Sequence, residues 1–482
     1  MRGVIMGHSN DVIYNRAKTW QIGFFAANNM ATNLYSALTM YISYFACGVI
    51  GLAVSTVAVL LTSMRVFDGI TDPLIGAWID RTDGKLGKFR PFMIFGNLIM
   101  LSAMTSIFYI TGRFSSTGMR LACFIACYVL YIIGYTMQTA VTKAGQTALT
   151  NDPKQRPLFA LFDSFLVMAV FGSIPIYVST VLAKKYGTIG NPELFGELVP
   201  KILTLSAVCT VIAVIGIWKK DRKEFYGAGT EEKVSVKDYV DVIKHNRAIQ
   251  MLIVAACSDK LALGVAGNTT VGVMLYGILF GNYSISGLMS MAGMAGGVVI
   301  TIFGVRKAQK MGLRRAHIAF TKIALTCFSV LAVILLIGGE GMMQGGKGLF
   351  LVFVAIYVLG YGAYMVAGNI SIPMIADCSD YETYRTGKYI PGMMGTLFSF
   401  VDKIITSLSA TIVGFSVILA GYSSLPDIDT PYSPVLKYLT IALFCGLPII
   451  GWILSLIAMK FYPLTSEMME EVQKKIASEK KI

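Results

Sequence analysis

The chain has 482 residues, 55% of them hydrophobic and only 14% charged, whereas soluble domains average about 25% charged residues. With 26 Met, 27 Phe and 48 Gly, that balance argues against a soluble globular protein and for a polytopic membrane protein. The net charge of +14 raises the possibility of a nucleic-acid partner, which its distribution along the chain excludes.

The N-terminal stretch MRGVIMGHSNDVIYNR has a polar interruption and no cleavable apolar core, so no signal peptide is expected. A bilayer span needs roughly 20 apolar residues. Twelve runs meet that length, at about 22–48, 52–79, 91–112, 119–149, 158–183, 200–218, 248–279, 285–305, 316–338, 348–376, 392–421 and 436–461. The longest hydrophilic connector, 219–247, divides them six and six. The expected organisation is an all-α protein with an N-terminal six-helix bundle (1–218), a central loop (219–247), a C-terminal bundle (248–461) and a tail (462–482). Eight scattered Cys lie almost entirely in apolar runs and read as small apolar fillers.

Charge fixes the expected orientation. With the N-terminus inside, 29 of the 41 Lys and Arg fall in cytoplasmic segments and 7 in outer loops. The other five, Arg65, Lys143, Lys260, Lys322 and Lys403, lie within spans. The excess therefore follows the positive-inside rule, with both termini cytoplasmic in a plasma (inner) membrane, and no nucleic-acid partner is needed. The halves also echo each other. GAWIDRTDGKLGKFRP (76–91) follows the second span and GVRKAQKMGLRRAH (304–317) the eighth, which suggests an internal duplication.

Ionisable residues inside spans are functional candidates by default. In RVFDGITDP (65–73), Asp68 and Asp72 are at i and i+4 and share one helix face, with Arg65 a turn earlier. Two close carboxylates require a proton, a sodium ion or a basic side chain. An ion-pair network with Arg65 is the competing reading, and it leaves one carboxylate over. Lys403, about ten residues into span eleven, is too deep for snorkelling to explain it readily. A salt bridge is the preferred reading for Lys143 and Asp163, and solute contact the alternative. Asp259 and Lys260 carry no assignment. Asn28, Asn29, Asn33, Tyr35, Gln138, Thr139, Thr142, Gln146, Asn268 and Asn369 suit either helix-to-helix bonding or a water-filled cavity for a polar solute.

Two stretches together resemble a known family. RVFDGITDPLIGAWIDRTDGKLGKFRPF (65–92) is similar to the second-helix signature of the glycoside–pentoside–hexuronide:cation symporters, a major facilitator branch that includes the melibiose carrier. ADCSDYETYRTGKYIPGMMGTLFSFVDKIITSLSATIVGFSVILAGY (376–422) resembles that family's AD-x-x-DY-E-x-x-TG loop and the Lys-bearing helix after it. The resemblance implies the major facilitator fold and a cation site at Asp68 and Asp72, with Lys403 and Arg65 in coupling. It also implies a helix-four hydroxyl at the cation, which falls on Gln138 or Thr139, with Thr139 preferred. The family's helix-four sugar Asp falls on Val141 or Thr142, and its Trp near Gly145, so the galactoside-binding set looks replaced. Lys143, facing a cavity, would suit an anionic sugar such as a hexuronide. The expected solute contacts are Asn29, Asn33, Tyr35, Gln138, Thr142, Lys143, Gln146, Asn268 and Asn369.

The expected function is therefore cation-coupled (Na+ or H+) symport of a sugar or glycoside by alternating access. No enzyme, no cofactor beyond the coupling cation, and a monomer in the lipid bilayer are expected. Asp80, Arg81, Arg90 and Asp377 to Arg385, including Asp380, are expected to close the inner side as ionic locks in the outward-open state. The alternatives are transport of a non-sugar solute (an organic anion, drug or lipid) and a transporter-derived sensor. The three His, at 8, 245 and 317, have no catalytic partner in sequence, and no phosphate-binding loop is present.

Overall fold

Ala53 is extended (φ −63°, ψ 142°), and the apolar run after it winds into a helix from Val54 to Arg81. The same happens at the other apolar runs, because a backbone crossing lipid must satisfy its polar groups internally. The computed structural model describes residues 15–82, 84–150, 155–222, 236–338, 347–387 and 391–479. Among these the only β-type pairing is an isolated bridge between Gly84 and Gly87.

The first six long helices are α1 (Thr19–Thr39), α2 (Val54–Arg81), α3 (Arg90–Tyr109), α4 (Thr117–Leu149), α5 (Arg156–Tyr177) and α6 (Pro192–Ile217). The second six are α7 (Arg247–Ala266), α8 (Ser284–Met311), α9 (Leu313–Gly338), α10 (Lys347–Thr386), α11 (Pro391–Leu419) and α12 (Leu447–Phe461). Pro434–Ile441 and a π turn, Ala442–Gly446, lead directly into α12. Eleven helical spans among the described residues are long and apolar enough to cross a bilayer, so this is a multi-pass membrane protein. The expected first span falls below that apolarity. Asn28, Asn29 and Asn33 interrupt α1, which nonetheless packs on α6, α5 and α4 as a member of the first bundle.

Three boundaries differ from the sequence reading. The 22–48 run breaks after Thr39 and resumes at Ile42, and the 248–279 run breaks at Asn268. There the Asn268 side chain accepts from the Thr270 amide and caps a new short helix. Residues 377–386, read as loop, form the end of α10. Those last turns are tied down from two sides. The amide of Asn246 donates to Glu382 Oε2 (2.8 Å), and Tyr384 donates to Glu471 of the helix Ser466–Glu479 (3.0 Å).

The helices of each half pack mainly among themselves, and the halves meet through α2 with α11 and α5 with α8. Every hydrogen bond and ion pair joining described residues of different halves lies at the level of Lys403 or toward the face opposite the basic loops. Thr62 donates to Ser407 O (3.0 Å) and Thr411 to Ala58 O (3.1 Å). Tyr44 donates to Pro426 O (2.7 Å), and Asp427 accepts from the Ile189 and Gly190 amides (3.0 and 2.9 Å). Gly287 lies so close to α5 that a Cβ there would fall 2.5 Å from Ile176 backbone. The two bundles are thus clasped at one end and separated around a charged cavity toward the other.

Candidate cation and solute site

α2 delivers Asp68 and Asp72 one turn apart on a single face. Asp68 is 3% exposed, whereas Asp72 is half-buried and borders open space. Pro73 follows immediately, and because it has no N–H the helix loses one internal bond there. Gly69 lies between the acids, where an added Cβ would sit 3.2 Å from the Phe400 ring. The missing side chain lets α11 approach, and Lys403, one turn beyond Phe400, reaches across the gap. Its Nζ is 2.5 Å from Asp72 Oδ2 and 3.1 Å from Asp68 Oδ2. One ammonium from the second half therefore neutralises one of two carboxylate charges from the first.

The other oxygen of Asp68 has a partner that sequence reading missed. Thr136 of α4 donates to Asp68 Oδ1 (3.1 Å), and its Oγ1 is 3.2 Å from Thr71 Oγ1. Thr139, the expected hydroxyl, instead bonds its own helix at Tyr135 O (2.9 Å) and Thr136 O (3.2 Å) and faces a neighbouring cavity. The discrepancy is a register shift of one turn, so the candidate hydroxyl is Thr136. A search of α4 for any hydroxyl two turns before Lys143 would have found it.

Arg65 does not join this cluster. Its guanidinium lines a separate polar cavity of about 350 Å³ with Ser36, Thr39, Tyr128, Asn268 and Thr406. Among the described residues no carboxylate oxygen comes within 4.0 Å of it.

Two adjoining cavities, of about 660 and 500 Å³, open around Lys403 and share Asp72 and Lys143 as lining. The first is mainly apolar and continues along Phe400 and Leu74. The second is lined by Asn29, Tyr135, Thr139, Thr142, Gln146 and Asp163. Of the expected solute residues, the structure thus brings Asn29, Thr142, Lys143 and Gln146 to one place, and adds Tyr135, Thr139 and Asp163. Asn268 lines the Arg65 cavity instead.

The remaining expected contacts lie elsewhere. Gln138 is fully buried, donating to Met93 O (3.0 Å) and Thr210 (3.1 Å) inside the first half. Tyr35 is buried against the Tyr131 ring. Asn33 donates to Asn29 O (2.9 Å), and Asn369 is exposed on α10 away from these cavities. Gln138 shows the other reading of a buried polar group, in which it bonds helix to helix.

The preferred Lys143–Asp163 salt bridge does not form. Among the described residues no carboxylate lies within 4.0 Å of the Lys143 amine, and Asp163 Oδ1 is buried without a partner. Both side chains border the second cavity from different helices. An ammonium and a carboxyl are therefore presented separately to whatever fills it.

Of the residues expected to lock the inner side, Arg90, Arg385 and Asp380 have partners away from the opposite half in this state. Arg90 Nε is 3.2 Å from Asp221 Oδ2, and Asp221 also accepts from the backbone amides of Lys88, Phe89 and Arg90. Arg385 pairs with Glu382 (2.8 Å) and lies 3.6 Å from Asp241. Asp380 accepts from Gln473 (2.6 Å), Asp377 is half-buried on α10 and Arg81 is exposed. The side chain of Asp80 lies outside the described residues.

Two helical bundles around a mid-membrane charged cavity define a membrane transporter of the major facilitator fold. Solved structures agree on the fold: a nucleoside transporter, NupG (10% identity, TM-score 0.61, 92% of this chain and 100% of that one), and the Escherichia coli fucose:proton symporter FucP (13%, 0.52, 92% and 98%). Residues 24–466 match the family described as MFS/sugar transport protein, and the chain belongs to that family. Similar curated proteins include the putative glycoside/cation symporter YagG of Escherichia coli strain K12 (23% identity, 95% of this chain, 94% of that one). Others are the isoprimeverose transporter of Lactiplantibacillus pentosus (22%, 97% and 94%) and a glucuronide carrier protein homolog of E. coli (20%, 97% and 98%). The protein is a sugar-type transporter, not an enzyme.

Proposed function

We propose that the protein couples the movement of a monovalent cation, Na+ or H+, to uptake of a sugar bearing a carboxylate, by alternating access. The observation that carries the reading is Lys403 of one half bridging Asp68 and Asp72 of the other. Two carboxylates and one ammonium leave one negative charge, which a monovalent cation offsets. Hard monovalent cations favour oxygen ligands of the kind Asp68, Asp72 and Thr136 supply. A cation bound there competes with Lys403 for the same oxygens, so its arrival loosens this ionic tie between the halves. Solute affinity then depends on the cation, and by linkage cation affinity depends on solute by the same factor.

Lys143 supports the acidic solute. Among the described residues no carboxylate neutralises its ammonium at the cavity, and a solute carboxylate fills that role. The glucuronide carrier homolog among the relatives fits a hexuronide, and the glycoside symporter and isoprimeverose transporter fit a sugar more broadly. The basic loops, on this reading, face the cytoplasm, and the structure is open to that side.

The test is uptake of glucuronides and neutral glycosides into vesicles, with and without sodium, at two pH values. Asp72→Asn should abolish cation-driven accumulation while leaving some solute exchange. Normal cation dependence in that variant would defeat the coupling role. Lys143→Ala should remove a preference for glucuronides, and the acidic-solute reading fails if the wild type shows no such preference.

A further inference from the structure

The second bundle contains a charged cluster that the coupling site does not use. Asp259, on α7, is 3% exposed, and His317, one turn into α9, is fully buried. Ser455 of α12 donates to Asp259 Oδ2 (3.1 Å), and His317 Nε2 lies 3.6 Å from the same oxygen. The other imidazole nitrogen, Nδ1, is 3.4 Å from Thr321 Oγ1. Asp259 Oδ1 and His317 Nε2 are buried with no hydrogen-bond partner among the described residues.

Among the described residues no Lys or Arg approaches Asp259 within 4.0 Å. On its own helix, Lys260 points elsewhere, with its ammonium 2.9 Å from Asp402 of α11 and over the Phe398 ring. Among the described residues the other titratable groups that interact with Asp259 are Cys257 and Tyr364 of α10, and neither is cationic. An ionised carboxylate in such a site has neither a counter-charge nor a full set of donors, a combination that apolar interiors do not tolerate. The alternative, a carboxylate–imidazolium pair, would desolvate two charges 3.6 Å apart with an unpaired atom on each, and such a pair does not repay its burial.

We propose that Asp259 is a proton-binding site, occupied by one proton and independent of the cation at Asp68 and Asp72. The proton comes from solvent and converts the carboxylate to the neutral acid, with the imidazole left neutral. No other bond changes. Three helices, α7, α9 and α12, meet at this proton, so the packing of the second bundle requires it. The fold of that bundle, and with it transport, fails as rising pH strips the proton and leaves a bare buried charge. Whatever the coupling cation and solute are, this dependence is separate from them.

Infrared difference spectroscopy on the purified full-length protein tests the proposal without any transport assay. The wild type should show a protonated-carboxyl carbonyl band that persists at neutral pH and disappears on alkaline titration. Asp259→Asn should lose that band, Asp72→Asn should retain it, and Ser455→Ala, which removes the hydroxyl from Oδ2, should shift its frequency. Asp259→Asn mimics the protonated form, so the protein should also keep its thermal stability at alkaline pH where the wild type loses it. Absence of the band in the wild type overturns the proposal, as does an Asp259→Asn protein with a wild-type alkaline profile. Should that variant fail to fold, an unshifted band in Ser455→Ala overturns it alone.

Discussion

A single turn of helix separates the hydroxyl that meets the carboxylates from the one that does not. Thr136 Oγ1 is 3.1 Å from Asp68 Oδ1, while Thr139 is engaged by carbonyls of its own helix. Thr136→Ala should therefore weaken cation-dependent solute binding by about 1 kcal/mol, the typical worth of one hydrogen bond, or roughly fivefold in cation affinity. Thr139→Ala should leave cation affinity within twofold. Cation titrations of solute binding on the purified variants check both, and equal effects would remove Thr136 from the site. Lys403 was legible in sequence as a deep, unexplained charge. Its pairing with the acids of α2 was legible only through the family resemblance, because 331 residues of sequence separate Lys403 from Asp72.

At the scale of elements, Asp221 holds the start of α3. It accepts three consecutive amides, from Lys88, Phe89 and Arg90, at 2.9, 3.2 and 2.9 Å, and meets the Arg90 side chain. The carboxylate is fully buried. Removing an acceptor from donors that stay buried costs more than a typical hydrogen bond contributes, about 1.5–3 kcal/mol for a charged group. Asp221→Ala should lower the thermal midpoint clearly, measured by unfolding in detergent, and more than Arg90→Ala does. The expected inner lock at Arg90 belongs to the outward-open state, and in the present state Arg90 meets Asp221 instead. The actual partner sits just past the end of α6, in the long connector, where no periodicity marks it. The end of α10 shows a related limit. Residues 377–386 are polar enough to read as a loop, yet Asn246 and the helix Ser466–Glu479 supply the partners that keep them helical.

For the whole molecule, the clasped end decides which way the cavity opens. Asp427 reaches from the connector after α11 to two amides beside Gly190, and Tyr44 bonds Pro426 O nearby. Because Asp427 is half-buried, solvent screens the contact, and its loss is worth about 1–2 kcal/mol. Asp427→Ala should therefore shift the balance between the two open states by roughly five- to thirtyfold toward opening of the clasped end. Alkylation of a Thr62→Cys reporter at that end should accelerate accordingly, and an unchanged rate would show that the contact does not bias the two states.

The sequence by itself determined what is local or summed over the chain. Long apolar runs dictate helices, because lipid offers the backbone no partners. The spacing of Asp68 and Asp72 places both acids on one face, because 3.6 residues make a turn. The bias of Lys and Arg between alternate connectors sets out an orientation. The tertiary structure alone decided which groups meet. It set Thr136 rather than Thr139 against Asp68, kept Lys143 apart from Asp163, sent Gln138 and Tyr35 into the first bundle and joined Arg90 to Asp221. Each of these depends on the rotation of one helix about its axis relative to another. Packing over the whole bundle sets that rotation, to which no short stretch of sequence contributes enough to be read alone.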